Sequence, residues 1–243
     1  MKFLKNLVFL DIETVSGYSS HDELPENLKE LWQKKASFLR KDDDISDETL
    51  YFDKAAIYSE FGKIICISVG ILYYDNEEQL HVRIKSISSD SEEEVLKKFV
   101  ELLHGKMDEA AITLVGHNAK EFDFPYIGRR MIVNKVPLPP YLDLSGKKPW
   151  EVNHIDTMEM WKFGDRKSFT SLALLTAIFD IPSPKEDING ADVNRVYYLE
   201  DGLARIAKYC NRDVLATVQV YLRIKGLAMI DDVCVHYVEE EAD

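Results

Sequence analysis

Apolar and polar positions along this chain follow two periods. Leu7 to Ile12 is a near-continuous apolar run, the pattern of a strand buried on both faces. Ile64 to Tyr74 (IICISVGILYY) predicts a second strand, rich in Ile, Val and Tyr. Asp75-Asn76 is a turn signal, and Leu80 to Ile87 alternates as a third strand, which makes a hairpin. From Ser91 to Leu103 the period becomes helical. Acids fill the first turn, and Val95, Leu96, Phe99, Val100, Leu102 and Leu103 carry the apolar positions. Ala111 to Val115 predicts a short buried strand and Gly116-His117-Asn118 a turn. Phe122 to Val133 then predicts a helix through Phe122, Tyr126, Ile127 and Met131. Ile155 opens another strand-to-helix transition, and Ser168 to Phe179 and Leu203 to Leu227 predict helices. Together these elements predict one α/β domain, residues 1–243, around a mixed sheet.

Two segments fall outside that plan. Residues 17–63 separate the first two strands by far more than the usual ~4–6 residues. Leu24, Leu28, Leu31, Trp32 and Leu39 share a helical face there, and Leu50, Tyr51 and Tyr58 suggest a second helix, so the segment is expected to be a helical insertion. Trp32, Phe38 and Phe52 are expected to pack it onto the sheet. Residues 236–243, ending Glu239-Glu240-Glu241-Ala242-Asp243, read as an acidic, solvated, frayed tail.

Composition narrows the picture. The chain has 243 residues, 46% of them hydrophobic and 30% charged, enough for a buried core. Its formal net charge of −13 argues against a broad basic grip on nucleic acid. The longest apolar runs fall well short of the ~18 residues of a membrane span, so no membrane is expected. The N-terminal stretch loosely resembles a signal peptide. It is broken by Lys5 and Asn6 and runs into acids without a small-residue cleavage site, so it reads as the first strand. Cys66, Cys210 and Cys234 form no CxxC pair, which suggests neither a disulfide framework nor a zinc site and leaves a reducing, cytoplasmic setting as the default.

Three places carry candidate chemistry. Asp11 and Glu13 are two apart on a strand, so they share a face. Such a pair either faces water or, if shielded, must be paired or bound to a cation. Asp123 sits in Phe122-Asp123-Phe124-Pro125-Tyr126 at a helix start, where a capping role and a ligand role both fit. Tyr209 and Asp213 are four apart on the last helix, on one stripe with Ile206 and Ala216. No basic residue lies three or four positions from Asp213, so its partner is a distant base, solvent or a cation.

In this order, D-x-E on the first strand, N-x-x-x-F-D near mid-chain and Y-x-x-x-D on a late helix resemble the three signatures of the DEDD 3′–5′ exonucleases. The chain is most similar to a stand-alone group related to the exonuclease domain of B-family DNA polymerases. The likeness extends through Tyr58 to Gly70, His154 to Gly164 and Tyr209 to Thr217. Tyr209, with Lys208 where the other subclass has His, matches the tyrosine subclass.

That resemblance implies a ribonuclease-H-like (DnaQ-like) mixed five-stranded sheet flanked by helices, with a helical insertion after the first strand. It implies hydrolysis at the 3′ end of single-stranded DNA, as DNA repair requires, by two divalent ions, Mg²⁺ or Mn²⁺. Asp11 would bridge both ions, Glu13 and Asp213 would hold the one carrying water, and Asp123 would serve the second, largely through waters. Tyr209 would orient the attacking water. Asn118 and Phe122 match positions near the terminal nucleotide, although Phe122 fits core packing equally well. Asp156 reads as structural, His117 as a hydrogen-bonding turn residue and Cys210 as a small packing residue. The basic pairs Lys147-Lys148 and Arg166-Lys167 are solvated or contact phosphate. An exoribonuclease or oligonucleotide-trimming enzyme, and a non-catalytic nucleic-acid-binding module on the same fold, are the alternatives. The insertion, at the rim, would cover the strand or dock a partner. With no polymerase segment in the sequence, proofreading would need a partner in trans.

Overall fold

The computed structural model describes residues 4–41, 44–105, 107–165, 167–182 and 188–238. Six strands form one sheet: β1 (Leu7–Ser16), β2 (Gly62–Tyr74), β3 (Leu80–Ser88), β4 (Thr113–Gly116), β5 (Ile155–Asp156) and β6 (Val235–Val238), in the order β5-β4-β1-β2-β3-β6. β2 is antiparallel to β1 and β3, whereas β4 runs parallel to β1, β5 to β4 and β6 to β3. The expected mixed α/β architecture is present, with one strand more than expected.

That strand corrects the tail. Val235-His236-Tyr237-Val238 is a run of β-branched and aromatic residues, and it pairs with the otherwise open edge of β3 instead of fraying. Residues 239–243 lie outside the described residues, as do Asp42, Asp43 and Arg166.

Eight helices are seen among the described residues: α1 (Glu26–Leu39), α2 (Asp47–Lys54), α3 (Glu92–Leu103), α4 (Asp123–Val133), α5 (Thr157–Lys162), α6 (Leu172–Ile178), α7 (Val193–Glu200) and α8 (Leu203–Ile224). α6 is shorter than expected because the Ser171 hydroxyl caps it, accepting from the amide of Leu174. α7 had no predicted counterpart; it has only two turns and buries Val193, Asn194 and Val196. No helix among the described residues is long and apolar enough to cross a membrane.

Strand alternation divides the core. Val8, Leu10 and Ile12 point to the face covered by α3 and α4, with Val95, Phe99, Phe124 and Ile127. Leu7 and Phe9 point the other way, onto Val214, Val218 and Tyr221 of α8. Glu92 pins the first layer: its carboxylate accepts from Ile64 N at 2.7 Å, from Arg130 Nε at 2.8 Å and from Asn134 Nδ2 at 2.7 Å.

Between β1 and β2, α1 and α2 build a small core of their own from Leu24, Trp32, Ala36, Leu50, Tyr51 and Ala55. Trp32 therefore packs within this segment and not onto the sheet, and Phe38 is 87% exposed. Phe52 is half-buried at the junction with α7, where its carbonyl accepts from Asn194 Nδ2 at 2.8 Å. The segment is tied down where it returns: the Ala56 carbonyl accepts from Thr14 Oγ1 at 2.9 Å and Tyr126 Oη at 2.8 Å.

Candidate active site

The apolar alternation of β1 continues into polar residues. Asp11 and Glu13 take the same face as Leu7 and Phe9, beneath α8. The pairing of β1 with β2 shifts between Glu13 and Thr14, where β2 carries the extra residue Ile65. This bulge places Ile65 and Cys66 together on the α8 face, with Ile64 on the other. Cys66 is paired in register with Glu13.

α8 supplies the opposite wall. Ile206, Tyr209, Cys210, Asp213, Val214 and Thr217 form one buried stripe at helical spacing. The Tyr209 hydroxyl hydrogen-bonds to the Asp213 carboxylate one turn on. The Cys210 thiol is directed at Asp11, 3.3 Å from both its carbonyl and its carboxylate Oδ2. Sequence reading treated Cys210 as packing alone. Its place three residues before Asp213, on the same helix face, was the available signal.

Asp123 arrives from α4. Phe122 occupies the cap position of that helix with no side-chain cap bond, so Asp123 is not its cap. Its Oδ1 instead accepts from the amide of Ile12 at 3.1 Å, between Asp11 and Glu13 on β1. One carboxylate oxygen is thereby held on the strand.

Glu13, Asp123 and Asp213 are buried and Asp11 half-buried. No lysine, arginine or histidine forms an ion pair with Asp11, Glu13 or Asp123 among the described residues. Burial, and next the Asp213 charge, hold Asp11 and Glu13 well above the usual carboxylate range. Burial pushes Asp123 up to about 7. Burial and the same acids raise Tyr209, and burial raises the Cys210 thiol, so both stand as hydrogen donors. Ligand atoms of Asp11, Glu13 and Cys210 lie within 4.8 Å of one another. Hard carboxylate oxygens that repel one another suit a divalent cation of the Mg²⁺ or Mn²⁺ kind.

The turn beside the site is rigid. Asn118 has φ of 60°, and its amide donates to Asp156 Oδ1 at 2.9 Å. Asp156 also accepts from Lys120 N, Met158 N and Glu159 N, so it caps α5 and fixes the turn, the structural role expected for it. His117 Nδ1 lies 2.9 Å from Thr157 Oγ1 and Nε2 lies 3.0 Å from the Thr170 carbonyl. Phe122 is half-buried, packed on the core with its ring centroid 5.2 Å from that of Tyr126. The Asn118 side chain makes no hydrogen bond among the described residues.

Part of the sequence of several DNA polymerases is similar to this chain. The DNA polymerase 1 of Pyrococcus abyssi is 29% identical over 193 residues, 71% of this chain and 23% of the polymerase. The DNA polymerase of Pyrococcus horikoshii is 27% identical over 191 residues, 71% of this chain and 15% of its own length. The chain thus spans a quarter or less of these relatives. Among solved structures, the family B DNA polymerase of the hyperthermophilic archaeon Pyrobaculum calidifontis superposes with a TM-score of 0.52 at 14% identity, over 89% of this chain and 24% of that one. That likeness extends to the fold, in agreement with a ribonuclease-H-like sheet. Residues 57–235 match the model of a family described as predicted 3′–5′ exonucleases related to the exonuclease domain of PolB. That match spans well over half of the sequence, and the chain belongs to this family.

Proposed function

We propose that the protein hydrolyses the terminal phosphodiester bond at the 3′ end of single-stranded DNA, using two divalent ions, Mg²⁺ or Mn²⁺. One observation supports this above all: Asp11, Glu13, Asp123 and Asp213 converge from β1, α4 and α8, and no basic side chain forms an ion pair with the first three among the described residues. Bound divalent ions supply a nucleophilic hydroxide near neutral pH and offset charge on the phosphate and the leaving oxygen. Asp11, Glu13, Asp123 and Asp213 would hold them. Tyr209, kept protonated by its surroundings, would orient the attacking water through its hydroxyl oxygen and would not act as a base. Asn118, whose side-chain carboxamide makes no hydrogen bond among the described residues, would hydrogen-bond the terminal nucleotide. Phe122 would stack its ring on a base, a contact worth ~1–3 kcal/mol.

The test is direct. End-labelled single-stranded DNA and RNA are incubated with Mn²⁺ or Mg²⁺, and in parallel with EDTA. A ladder shortening from the 3′ end of DNA, only with metal, is expected, and Asp11→Ala or Asp213→Ala abolishes it. Preferential cleavage of RNA would make the protein an exoribonuclease. Binding without cleavage would make it a nucleic-acid-binding module.

A further inference from the structure

A second concave site lies on the other flank of α8. It is a cavity of about 510 Å³ between α8, β3 and β6, lined in part by Ser86, Ser88, Lys208, Asn211, Arg212 and Tyr237. That volume is within the ~300–1,000 Å³ of small-molecule sites. None of the carboxylates of the candidate active site lines it.

Its chemistry is that of an anion with a flat polar ring. Lys208 and Arg212 are four apart on α8, so two cations share one helix face, in a protein of net charge −13. Arginine and lysine over a wall of two serine hydroxyls suit a phosphate group. Tyr237, half-exposed on β6, offers an aromatic face; burial first, and then the neighbouring Arg212 and Asp232 in opposite senses, act on its hydroxyl. Asn211 lines the same cavity. Its Nδ2 donates to Ser86 Oγ at 3.3 Å, while its Oδ1 is buried with no hydrogen-bond partner among the described residues. An orphaned buried acceptor is costly unless a donor comes from outside. Every nucleobase that carries an amine or imide N–H provides one.

We propose that this cavity binds a nucleoside 5′-monophosphate, with Lys208 and Arg212 on the phosphate, Tyr237 stacked on the base and Asn211 Oδ1 accepting a base N–H. The choice of nucleotide rests on the proposed exonuclease activity, which releases this class of molecule. The pocket would be a product site. Lys208 and Arg212 directly precede Tyr209 and Asp213, so an occupant would bear on the helix that carries the chemistry.

Calorimetric titration of the full chain in EDTA with deoxyadenosine 5′-monophosphate, deoxyadenosine and inorganic phosphate tests this. One nucleotide is expected per chain, with deoxyadenosine and phosphate each weaker by ~10-fold or more. Lys208→Ala, Arg212→Gln and Tyr237→Leu should each weaken the nucleotide by a similar factor, while Asp213→Asn leaves it unchanged. No binding, equal binding of phosphate and nucleotide, or loss with Asp213→Asn but not with Lys208→Ala would each overturn the site. Should Arg212→Gln fail to fold, Lys208→Ala, at an exposed position, decides it. The titration needs no cleavage, so nuclease activity without nucleotide binding overturns only this site. Binding without nuclease activity overturns only the exonuclease.

Discussion

The amide of Ile12 donates to the carboxylate of Asp123 across 111 positions of sequence, and this bond at 3.1 Å puts an acid of α4 between the two acids of β1. The bond has a structural half and a chemical half, which substitution separates. Asp123→Asn keeps an oxygen that accepts from Ile12 and loses the charge. Its melting temperature should stay within a few degrees of wild type, while cleavage falls by at least ~100-fold, since charge stabilisation by metals is worth several kcal/mol. Asp123→Ala also orphans a buried N–H and should cost ~1–3 kcal/mol more in denaturant unfolding. Equal stability of the two variants would remove the anchoring role.

The same acids predict how pH and metal interact. Burial holds Asp123 up at about 7, and Asp11 and Glu13 well above their usual range, whereas unfolded carboxylates titrate near ~4. Between those values the native, metal-free chain binds more protons than the unfolded one. Its stability is therefore full at the acid end and falls as pH rises through about 7. Unfolding in EDTA should show this decline, and Mn²⁺ should reverse it. Metal binding must displace the protons, so apparent Mn²⁺ affinity should drop ~10-fold per pH unit for each proton released as pH is lowered. A pH-independent affinity would show that the acids are already ionised.

Tyr209 gives a sharper test of role. Its hydroxyl bonds Asp213, and burial among acids raises it above its ordinary value. Tyr209→Phe should lower kcat by ~10–100-fold through misplaced water, with Mn²⁺ affinity unchanged. The pH–rate profile below pH ~9 should keep its shape, because a phenol titrating above ~10 contributes no limb there. A lost limb would make Tyr209 a base.

Much of this was legible before any coordinates. The near-continuous apolar run of Leu7 to Ile12 marked β1, and the Asp11–Glu13 spacing placed both acids on one face. The stripe through Ile206, Tyr209 and Asp213 marked the buried side of α8. Long-range detail was hidden. Nothing local says that Asp123 bonds Ile12 or that β2 bulges at Ile65, because each depends on how separate elements dock. β6 was missed because its polar neighbours read as a tail, and an edge strand needs its partner to declare itself. Phe38 misled in the opposite sense: a large apolar residue on an amphipathic helix can still face solvent.

Gly70 links packing to the site. It lies opposite Phe9 in the β1–β2 register, directly beneath α8. A Cβ there would come 2.8 Å from Val214 Cγ1 and 3.6 Å from both Phe9 Cβ and Ile84 Cγ1. Val214 is a short, stiff side chain that cannot swing aside, so α8 itself must give way. Overpacking costs ~1–3 kcal/mol, against ~0.4–1 kcal/mol gained from a less flexible unfolded chain, so Gly70→Ala should be net destabilising. Val214 follows Asp213, so the shift should also move that carboxylate and lower kcat without changing KM to the same degree. Val214→Ala in the same chain clears the contact. A double-mutant cycle should then show the pair more stable than the two single losses predict, with kcat partly restored. Strictly additive losses would mean that the sheet and α8 accommodate the methyl group separately, and that Asp213 does not depend on how closely they meet.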